Sequence, residues 1–355
     1  MRALRDAGVS IWLDTLSREL LDSGEFARLI RECSVTGATS NPTIFAAAIL
    51  GSDRYDHQVQ ASGIEDPREL FFALALDDVA WAADLLYPTH MASGGRDGFV
   101  SFQCTPDLAD DAPGMVEQAL ALWERLARPN VMIKVPATDA GVSAVEELTF
   151  RGVNVNVTLL FAVERYEQIT DAYLRGLERR VAAGERVDAI HSVASFFVSR
   201  VDAKADALLP AGSRLRGRVA IANAQRAYAH YRRRFAGSRW RALQAAGAHP
   251  QRPLWASTAP KDPAYSDVLY VEALTAPDVI ATLPSETLRA FADHGRVGAP
   301  LDGDTFEADA VLGGLDLRAI TTELERDGVR KFNDSYRQLL ECIEHKRDAL
   351  ALTRP

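Results

Sequence analysis

The residue type that most suggests chemistry is a lysine inside an apolar segment. Only five of the 40 lysine and arginine residues are lysines, and Lys134 lies within Val-Met-Ile-Lys-Val-Pro. Burial disfavours an unpaired ammonium group and lowers its pKa until the amine can act as a nucleophile. Arginine cannot do this, because its guanidinium group is not deprotonated in proteins. Lys134 therefore predicts a Schiff base with a carbonyl substrate. The structural alternatives are a lysine that reaches solvent at a strand end, or one paired with Asp14.

A Schiff base indicates which other groups should lie nearby. The protonated imine withdraws electrons from the neighbouring carbon, so that a C–C bond can break and leave an enamine. That step needs a base for the proton of a substrate hydroxyl, and Asp14 is the candidate. Hydrogen-bonding side chains must also orient the substrate hydroxyls, a task that suits Asn41, Asn156 and Ser195.

Two cations could hold a phosphate group. Lys261 follows the segment Trp-Ala-Ser-Thr-Ala-Pro, and Arg200 ends the segment Ser-Phe-Phe-Val-Ser-Arg. A hydroxyl-bearing loop that follows a strand and precedes a cation suits a phosphate. The alternative is that both residues are solvated surface charges.

Composition excludes several classes of protein. The net charge of −9 argues against a nucleic-acid partner, which would require a basic surface. No Cys-x-x-Cys pair and no metal-binding spacing of histidines is present, which predicts a reduced, cytoplasmic protein without a metal cofactor. No apolar stretch approaches the length of a membrane span, and the first residues do not resemble a signal peptide.

Short apolar runs alternate with amphipathic stretches along the chain. Helical spacing of apolar residues marks Val116–Ala127 and Arg165–Val181. This alternation predicts a parallel (β/α)8 barrel, with a doubly wound sheet as the alternative. The segments Ala246–Pro253 and Gly295–Asp304 are predicted as loops, and the tail beyond Leu315 as one or two helices that pack on a single domain covering residues 1–355. The predicted strands are Ser10–Thr15, Val35–Ser40, Phe99–Cys104, Val131–Pro136, Asn154–Leu159, Ala189–Phe197, Leu254–Thr258 and Val279–Leu283.

Polar residues interrupt several of these strands with a period of two. In Val-Asn-Val-Asn-Val-Thr-Leu, the valines can face outer helices while Asn154, Asn156 and Thr158 point into the barrel. A half-exposed antiparallel strand would alternate in the same way. Active sites in parallel barrels lie at the carboxyl ends of the strands. The polar residues near such predicted ends are Asp14, Gln103, Lys134 and Thr158.

At these residues the chain resembles the transaldolase family, in the longer bacterial form found in actinomycetes. The resemblance implies a class I aldolase barrel without metal or organic cofactor. Such an enzyme transfers a dihydroxyacetone unit from a ketose phosphate to an aldose phosphate in the pentose phosphate pathway, and we expect a monomer or a homodimer. The matching segments, in family order between residue 10 and about residue 295, are SIWLDTLSRELLDSGEF, VTGATSNPTIF, RPNVMIKVPAT, VNVTLLFAVERY, IHSVASFFVSRVD, HPQRPLWAST, DPAYSDVLYVEAL and TLPSETLRAFADHG.

The resemblance also implies roles for individual residues around the reacting carbon. Lys134 corresponds to the Schiff-base lysine and Asp14 to the acid–base aspartate. Asn41 and Asn156 correspond to asparagines that orient the substrate. Thr158 corresponds to the threonine that helps to hold the catalytic water.

Further residues correspond to the substrate-binding and phosphate-binding positions. Ser195 matches a substrate-binding serine and Arg200 a phosphate-binding arginine. Ser257 and Lys261 resemble the phosphate loop. Phe197 occupies the aromatic position that is tyrosine in the related fructose-6-phosphate aldolases.

The sequence departs from the family pattern at two places in this region. Transaldolases usually read Val-Ser-(Leu/Ile)-Glu-Val on the third strand, with a glutamate that holds the catalytic water, whereas this chain has Gln103. The phosphate loop usually reads Ser-Thr-Gly, whereas this chain has Ala259 followed by Pro260. Loss of the glycine predicts a loop that cannot easily adopt a positive φ at that position.

Three functions agree with these features. The first is a transaldolase, or a specialised paralogue that acts on another sugar phosphate. The second is a lyase similar to fructose-6-phosphate aldolase, which shares a glutamine at the position of Gln103, although Phe197 lacks the hydroxyl of the tyrosine found there. The third is a catalytically impaired barrel that only binds sugar phosphates, against which Lys134, Asp14 and Thr158 argue, because binding alone does not require an amine that forms imines.

Overall fold

The computed structural model describes residues 1–352, in which eight parallel strands close into a barrel in chain order. The last strand pairs with the first, with Ser10 opposite Ile280. The closed sheet confirms the predicted (β/α)8 barrel and excludes the doubly wound alternative. The strands are β1 Ser10–Leu13, β2 Val35–Thr39, β3 Phe99–Gln103, β4 Val131–Pro136, β5 Val155–Leu160, β6 Ser192–Phe197, β7 Arg252–Ala256 and β8 Ile280–Leu283.

All eight predicted strands exist, and their ends differ by up to three residues. β4 has the predicted bounds, whereas β6 begins at Ser192 and not at Ala189. The predicted loop Ala246–Pro253 is wrong in its last two residues, because β7 already begins at Arg252. The Arg252 side chain is buried and donates hydrogen bonds to backbone oxygens of neighbouring segments, so the barrel compensates a charge that looks unsuitable for a strand. The predicted loop Gly295–Asp304 contains neither helix nor strand.

Helices connect the strands and cover the barrel. The predicted helices are confirmed as α7, which begins four residues and ends one residue earlier than predicted, and α9, which begins two residues earlier and ends one residue later. The tail forms one long helix, α16. The helices are α1 Arg2–Asp6, α2 Arg18–Asp22, α3 Glu25–Glu32, α4 Pro42–Leu50, α5 Asp56–Ser62, α6 Pro67–Ala92, α7 Ala112–Leu126, α8 Asp139–Phe150, α9 Val163–Ala182, α10 Ser199–Leu208, α11 Val219–Arg234, α12 Ser238–Ala245, α13 Leu269–Ala273, α14 Ser285–His294, α15 Phe306–Leu312 and α16 Leu317–Leu352. Within residues 1–352, no helix has both the length and the apolar character needed to span a membrane.

The strand register brings three of the candidate polar residues to one level. Gln103 on β3 lies opposite Lys134 on β4, and Lys134 lies opposite Asn156 on β5. Just beyond this level, the β5 register shifts between Val157 and Leu160, and Leu159 has a φ of 61°. This irregularity ends the period-two alternation that the sequence suggested for the end of β5.

Candidate active site

A cavity of about 170 Å³ lies at the carboxyl ends of the strands. Eight of the eleven residues that the sequence singled out line it: Asp14, Asn41, Lys134, Ser195, Phe197, Arg200, Ser257 and Lys261. These residues come from β4, β6 and the segments after β1, β2, β6 and β7, so only the closed barrel brings them together. The position agrees with the usual place of active sites in this fold.

A larger cavity of about 400 Å³ is lined largely by residues from the amino ends of the strands, among them Phe99, His191, Arg252 and Ile280. It contains no lysine and none of the predicted residues. The smaller cavity is therefore the candidate active site, because of these two cavities it is the one in which the described residues combine a buried amine with a carboxylate and further cations.

Lys134 is 5% exposed, and its environment disfavours the charged amine. Burial lowers its pKa to about 8, Asp14 opposes this change, and Arg200 adds to it. Its Nζ lies 3.4 Å from the Ser40 carbonyl oxygen. The low exposure of Lys134 excludes a solvent-exposed lysine. Among residues 1–352, no carboxylate lies within 4.0 Å of its amine, which excludes a direct ion pair with Asp14.

Asp14 follows β1 and is held at the edge of the cavity. Its backbone N–H donates to the Leu283 carbonyl at 2.8 Å, and its carboxylate accepts a hydrogen bond from Thr39 Oγ1 at 2.8 Å. The hydroxyl of Thr39 also lies 2.9 Å from that of Thr282. One carboxylate oxygen is thus fixed by the barrel, and the negative charge remains close enough to influence Lys134.

Asn156 and Ser195 form a buried hydrogen-bond chain beside the lysine. Asn156 Nδ2 donates to Ser101 Oγ at 2.9 Å, and its Oδ1 accepts from Ser195 Oγ at 2.7 Å. Ser195 lines the cavity, whereas Asn156 is fully buried and does not. Asn41 lines the cavity from the amino end of α4, where its Oδ1 caps the helix by accepting from the Ile44 N–H at 3.1 Å.

Gln103 and Thr158 lie on the two strands that flank β4. They are buried, and neither lines the cavity that holds Lys134. Within the described part of the chain, Gln103 Oε1 and Thr158 Oγ1 have no hydrogen-bond partner. Buried polar atoms are usually paired, so these two oxygens, on the strands on either side of the one that carries Lys134, are exceptions.

Arg200 and Lys261 carry two positive charges on the same side of the cavity. Arg200 lies in the first turn of α10, with its Cζ 5.3 Å from the centre of the Phe197 ring, and Lys261 is exposed in the segment after β7. Burial lowers the pKa of both cations, and Arg200 lowers that of Lys261 further. Neither forms an ion pair with a residue of the described chain. An anion placed between them would relieve this repulsion.

The loop after β7 agrees with the expectation about the missing glycine, because Ala259 does not adopt a positive φ. The residue with positive φ is Ser257, at 56°, and not Ala259. The Ser257 carbonyl accepts from the Ser199 N–H at 3.0 Å, and the two hydroxyls lie 2.9 Å apart. The left-handed backbone therefore joins the loop to the start of α10, and an alanine at position 259 does not strain it.

The cavity also contains residues that sequence reasoning missed. Thr39 is the last residue of β2, and Thr282 lies near the end of β8. Both are polar residues at strand ends, so the argument that identified Asp14 could also have identified them. Phe332 comes from α16, far along the chain, and the sequence around an aromatic residue in a long helix gives no indication that it lines an active site.

A (β/α)8 barrel with a buried lysine near the carboxyl ends of its strands, whose pKa is lowered by burial, is the arrangement expected of a class I aldolase. A family model described as transaldolase/fructose-6-phosphate aldolase matches residues 11–343. The chain is 47% identical to the transaldolase of Saccharopolyspora erythraea, over 98% of both chains. It is 46% identical to the transaldolase of Parafrankia sp., over 97% of this chain and 96% of that one, and 47% identical to transaldolase 1 of Streptomyces avermitilis, over 97% and 94%. The protein belongs to the transaldolase/fructose-6-phosphate aldolase family.

Proposed function

We propose that this protein is a transaldolase that transfers a dihydroxyacetone unit between sugar phosphates through a Schiff base on Lys134. The observation that carries the proposal is the buried Lys134 amine, with its pKa lowered to about 8, in one cavity with Asp14 and two unpaired cations. Relatives named transaldolase, at 46–47% identity over nearly the whole chain, support it.

The lowered pKa makes the amine available. At pH 7.5, an amine with a pKa of 8 is about 24% neutral, against about 0.1% for one with a pKa of 10.5. Lys134 Nζ attacks the ketose carbonyl, the carbonyl oxygen leaves as water, and the imine takes a proton. The iminium then accepts the electron pair of the C3–C4 bond as that bond breaks.

Asp14 is the proposed base for this cleavage. It takes the proton of the hydroxyl next to the breaking bond, which becomes the carbonyl of the released aldose phosphate. Thr39 holds one of its oxygens, so the carboxylate has a defined direction. Gln103 Oε1 and Thr158 Oγ1 are unpartnered within residues 1–352, and we infer that they hold the water that relays protons to Asp14.

The remaining cavity residues bind the substrate in this proposal. Arg200 and Lys261 hold the phosphate, and Ser257 positions their two segments against each other. Ser195 and Asn41 orient substrate hydroxyls, while Asn156 orients Ser195. Phe197 forms an apolar wall beneath Arg200.

The imine itself supplies the electron sink, so the proposed reaction needs neither a metal nor an organic cofactor. Within residues 1–352, no group of histidine, cysteine and acidic residues is arranged to hold a metal ion. We further propose a cytoplasmic enzyme of the pentose phosphate pathway that folds as one barrel domain, acts as a monomer or homodimer, and has neither nucleic-acid nor membrane partners.

A lyase that releases free dihydroxyacetone is the second candidate. Gln103 favours it, because an amide at this position is shared with fructose-6-phosphate aldolases. Phe197 disfavours it, because a phenyl ring has no hydroxyl with which to hold the water needed for hydrolysis.

One experiment tests both candidates. The enzyme is incubated with fructose 6-phosphate, reduced with borohydride, and the adduct is mapped by mass spectrometry; parallel reactions measure products with and without erythrose 4-phosphate. We expect a dihydroxyacetone adduct on Lys134 and turnover that depends on the acceptor. Turnover without acceptor would favour the lyase. An adduct on Lys261, or none with any ketose phosphate, would refute the proposal.

A further inference from the structure

The C-terminal helix contributes one side chain to the candidate active site. Phe332 of α16 is 5% exposed and lines the same cavity as Lys134. Within the described chain it is the only α16 residue among those that line this cavity. Phe332 belongs to the hydrophobic core, yet its apolar ring also lines a space that otherwise contains several charged and hydroxyl-bearing groups.

The helix is fixed on both sides of Phe332. On one side, a Cβ at Gly328 would lie 2.8 Å from Leu159 Cδ2 of β5, so the backbone of α16 contacts the barrel where a side chain would not fit. On the other side, Ser335 Oγ accepts a hydrogen bond from Thr43 Oγ1 at 2.9 Å, which joins α16 to the helix that Asn41 caps. These contacts fix the part of α16 from which Phe332 reaches the wall of the cavity.

Such a ring matters most after the C–C bond has broken. The enamine left on Lys134 can add to an aldehyde, and water then hydrolyses the new imine, so that the C–N bond breaks and the new ketose phosphate leaves. Alternatively, the enamine takes a proton from water at the carbon that lost the aldose. In the second case, water adds to the imine carbon, the C–N bond breaks, Lys134 leaves as the free amine, and dihydroxyacetone is released. Both routes use one water molecule to hydrolyse the final imine, so the step that separates them is the transfer of a proton from water to the enamine carbon, which only the release of dihydroxyacetone requires.

We propose that Phe332 limits the access of water to the Lys134 enamine and thereby makes the enzyme a transferase and not a lyase. This inference rests on the transaldolase activity proposed above. It assigns the choice between transfer and release partly to a helix outside the barrel, in addition to Gln103 and Phe197, which lie within it.

The test compares Phe332→Ala with a matched control. Leu339 lies on the same helix, is fully buried and does not line the cavity, so Leu339→Ala removes comparable packing from α16 without changing the cavity wall. The measured quantity is dihydroxyacetone released per sugar phosphate transferred, with fructose 6-phosphate and limiting erythrose 4-phosphate. We expect Phe332→Ala to raise this ratio by roughly tenfold or more, Phe332→Leu to raise it less, and Leu339→Ala to leave it unchanged.

A second readout follows enamine protonation directly. In D2O without acceptor, deuterium should enter the released dihydroxyacetone faster in Phe332→Ala than in wild type. An unchanged ratio and an unchanged deuterium rate would overturn the inference, as would an equal rise in Leu339→Ala. If Phe332→Ala does not fold, the same two measurements on Phe332→Leu decide. If wild type forms no Lys134 adduct, the proposed function fails, and this result is distinct from an unchanged ratio in an active enzyme.

Discussion

The ionisation of Lys134 can be measured from the pH dependence of its reaction with a carbonyl compound. Burial lowers its pKa from 10.5 to about 8, with Asp14 opposing the change. At pH 7, about 9% of such an amine is neutral, against about 0.03% at the ordinary pKa, a difference of about 300-fold in nucleophile. The rate of adduct formation should therefore rise about tenfold per pH unit below 8 and level off above it.

The assay uses dihydroxyacetone as the carbonyl compound and cyanoborohydride as the trap. Dihydroxyacetone has no phosphate, so changes in the phosphate site do not alter its binding directly. Asp14→Asn removes a charge that raises the Lys134 pKa and should move the inflection to lower pH. Arg200→Ala removes a charge that lowers it and should move the inflection to higher pH.

Lys261→Ala is the matched control, because Lys261 is not among the groups that perturb Lys134. Its inflection should stay at the wild-type position. A rate that keeps rising to pH 10 in wild type would show that Lys134 is not desolvated. Shifts of the same sign in Asp14→Asn and Arg200→Ala would refute the electrostatic reasoning.

Four further substitutions test the site. Arg200→Ala and Lys261→Ala should each weaken binding of phosphorylated substrates about ten- to a hundredfold; equal losses for dephosphorylated analogues would contradict the assignment. Gln103→Glu should raise kcat with fructose 6-phosphate and erythrose 4-phosphate at least about tenfold, because a carboxylate can take a proton and an amide cannot; a wild type as fast as this variant would contradict it. Lys134→Arg should abolish turnover, since guanidinium is not a nucleophile, and residual turnover would exclude the Schiff base.

The barrel was predictable because each strand is a short run of apolar residues in the sequence, and because eight such runs separated by helices favour a closed barrel. The amino end of β7 was not predictable, because a charged residue followed by a proline, here Arg252 and Pro253, is typical of a loop. Only the neighbouring segments provide the carbonyl oxygens of Arg96, Asp278 and Val279 that accept hydrogen bonds from the buried Arg252. A local sequence pattern cannot identify hydrogen-bond partners that lie far away along the chain.

Some residues of the candidate site could likewise be predicted from the sequence, and others could not. Lys134 and Asp14 were recognisable because polar groups at the ends of apolar strands are unusual. Phe332 was not, because an aromatic residue in an amphipathic helix is ordinarily part of the core. Its place in the cavity depends on the path of α16, which the contact of Gly328 with Leu159 helps to fix. The positive φ of Ser257 was likewise invisible, since serine gives no sign of a left-handed backbone.

A buried lysine that serves chemistry should also lower stability, and this cost can be measured. Because the pKa of Lys134 is lower in the folded than in the unfolded protein, the unfolded state binds more protons between about pH 8 and 10.5, and stability should rise with pH across that window. Below pH 8 the full cost is present, at most about 3 kcal/mol. Lys134→Met should thus increase the free energy of unfolding by about 1–3 kcal/mol at pH 7, with a smaller gain at pH 9.5.

Chemical denaturation at both pH values checks this expectation. Lys204→Met is the control, because Lys204 is partly exposed and paired with Glu323, so its replacement should bring no gain. A Lys134→Met protein no more stable than wild type would mean that the folded state already compensates the ammonium group. A gain that disappears towards high pH, together with complete loss of adduct formation, would show that the same desolvation that destabilises the fold generates the nucleophile.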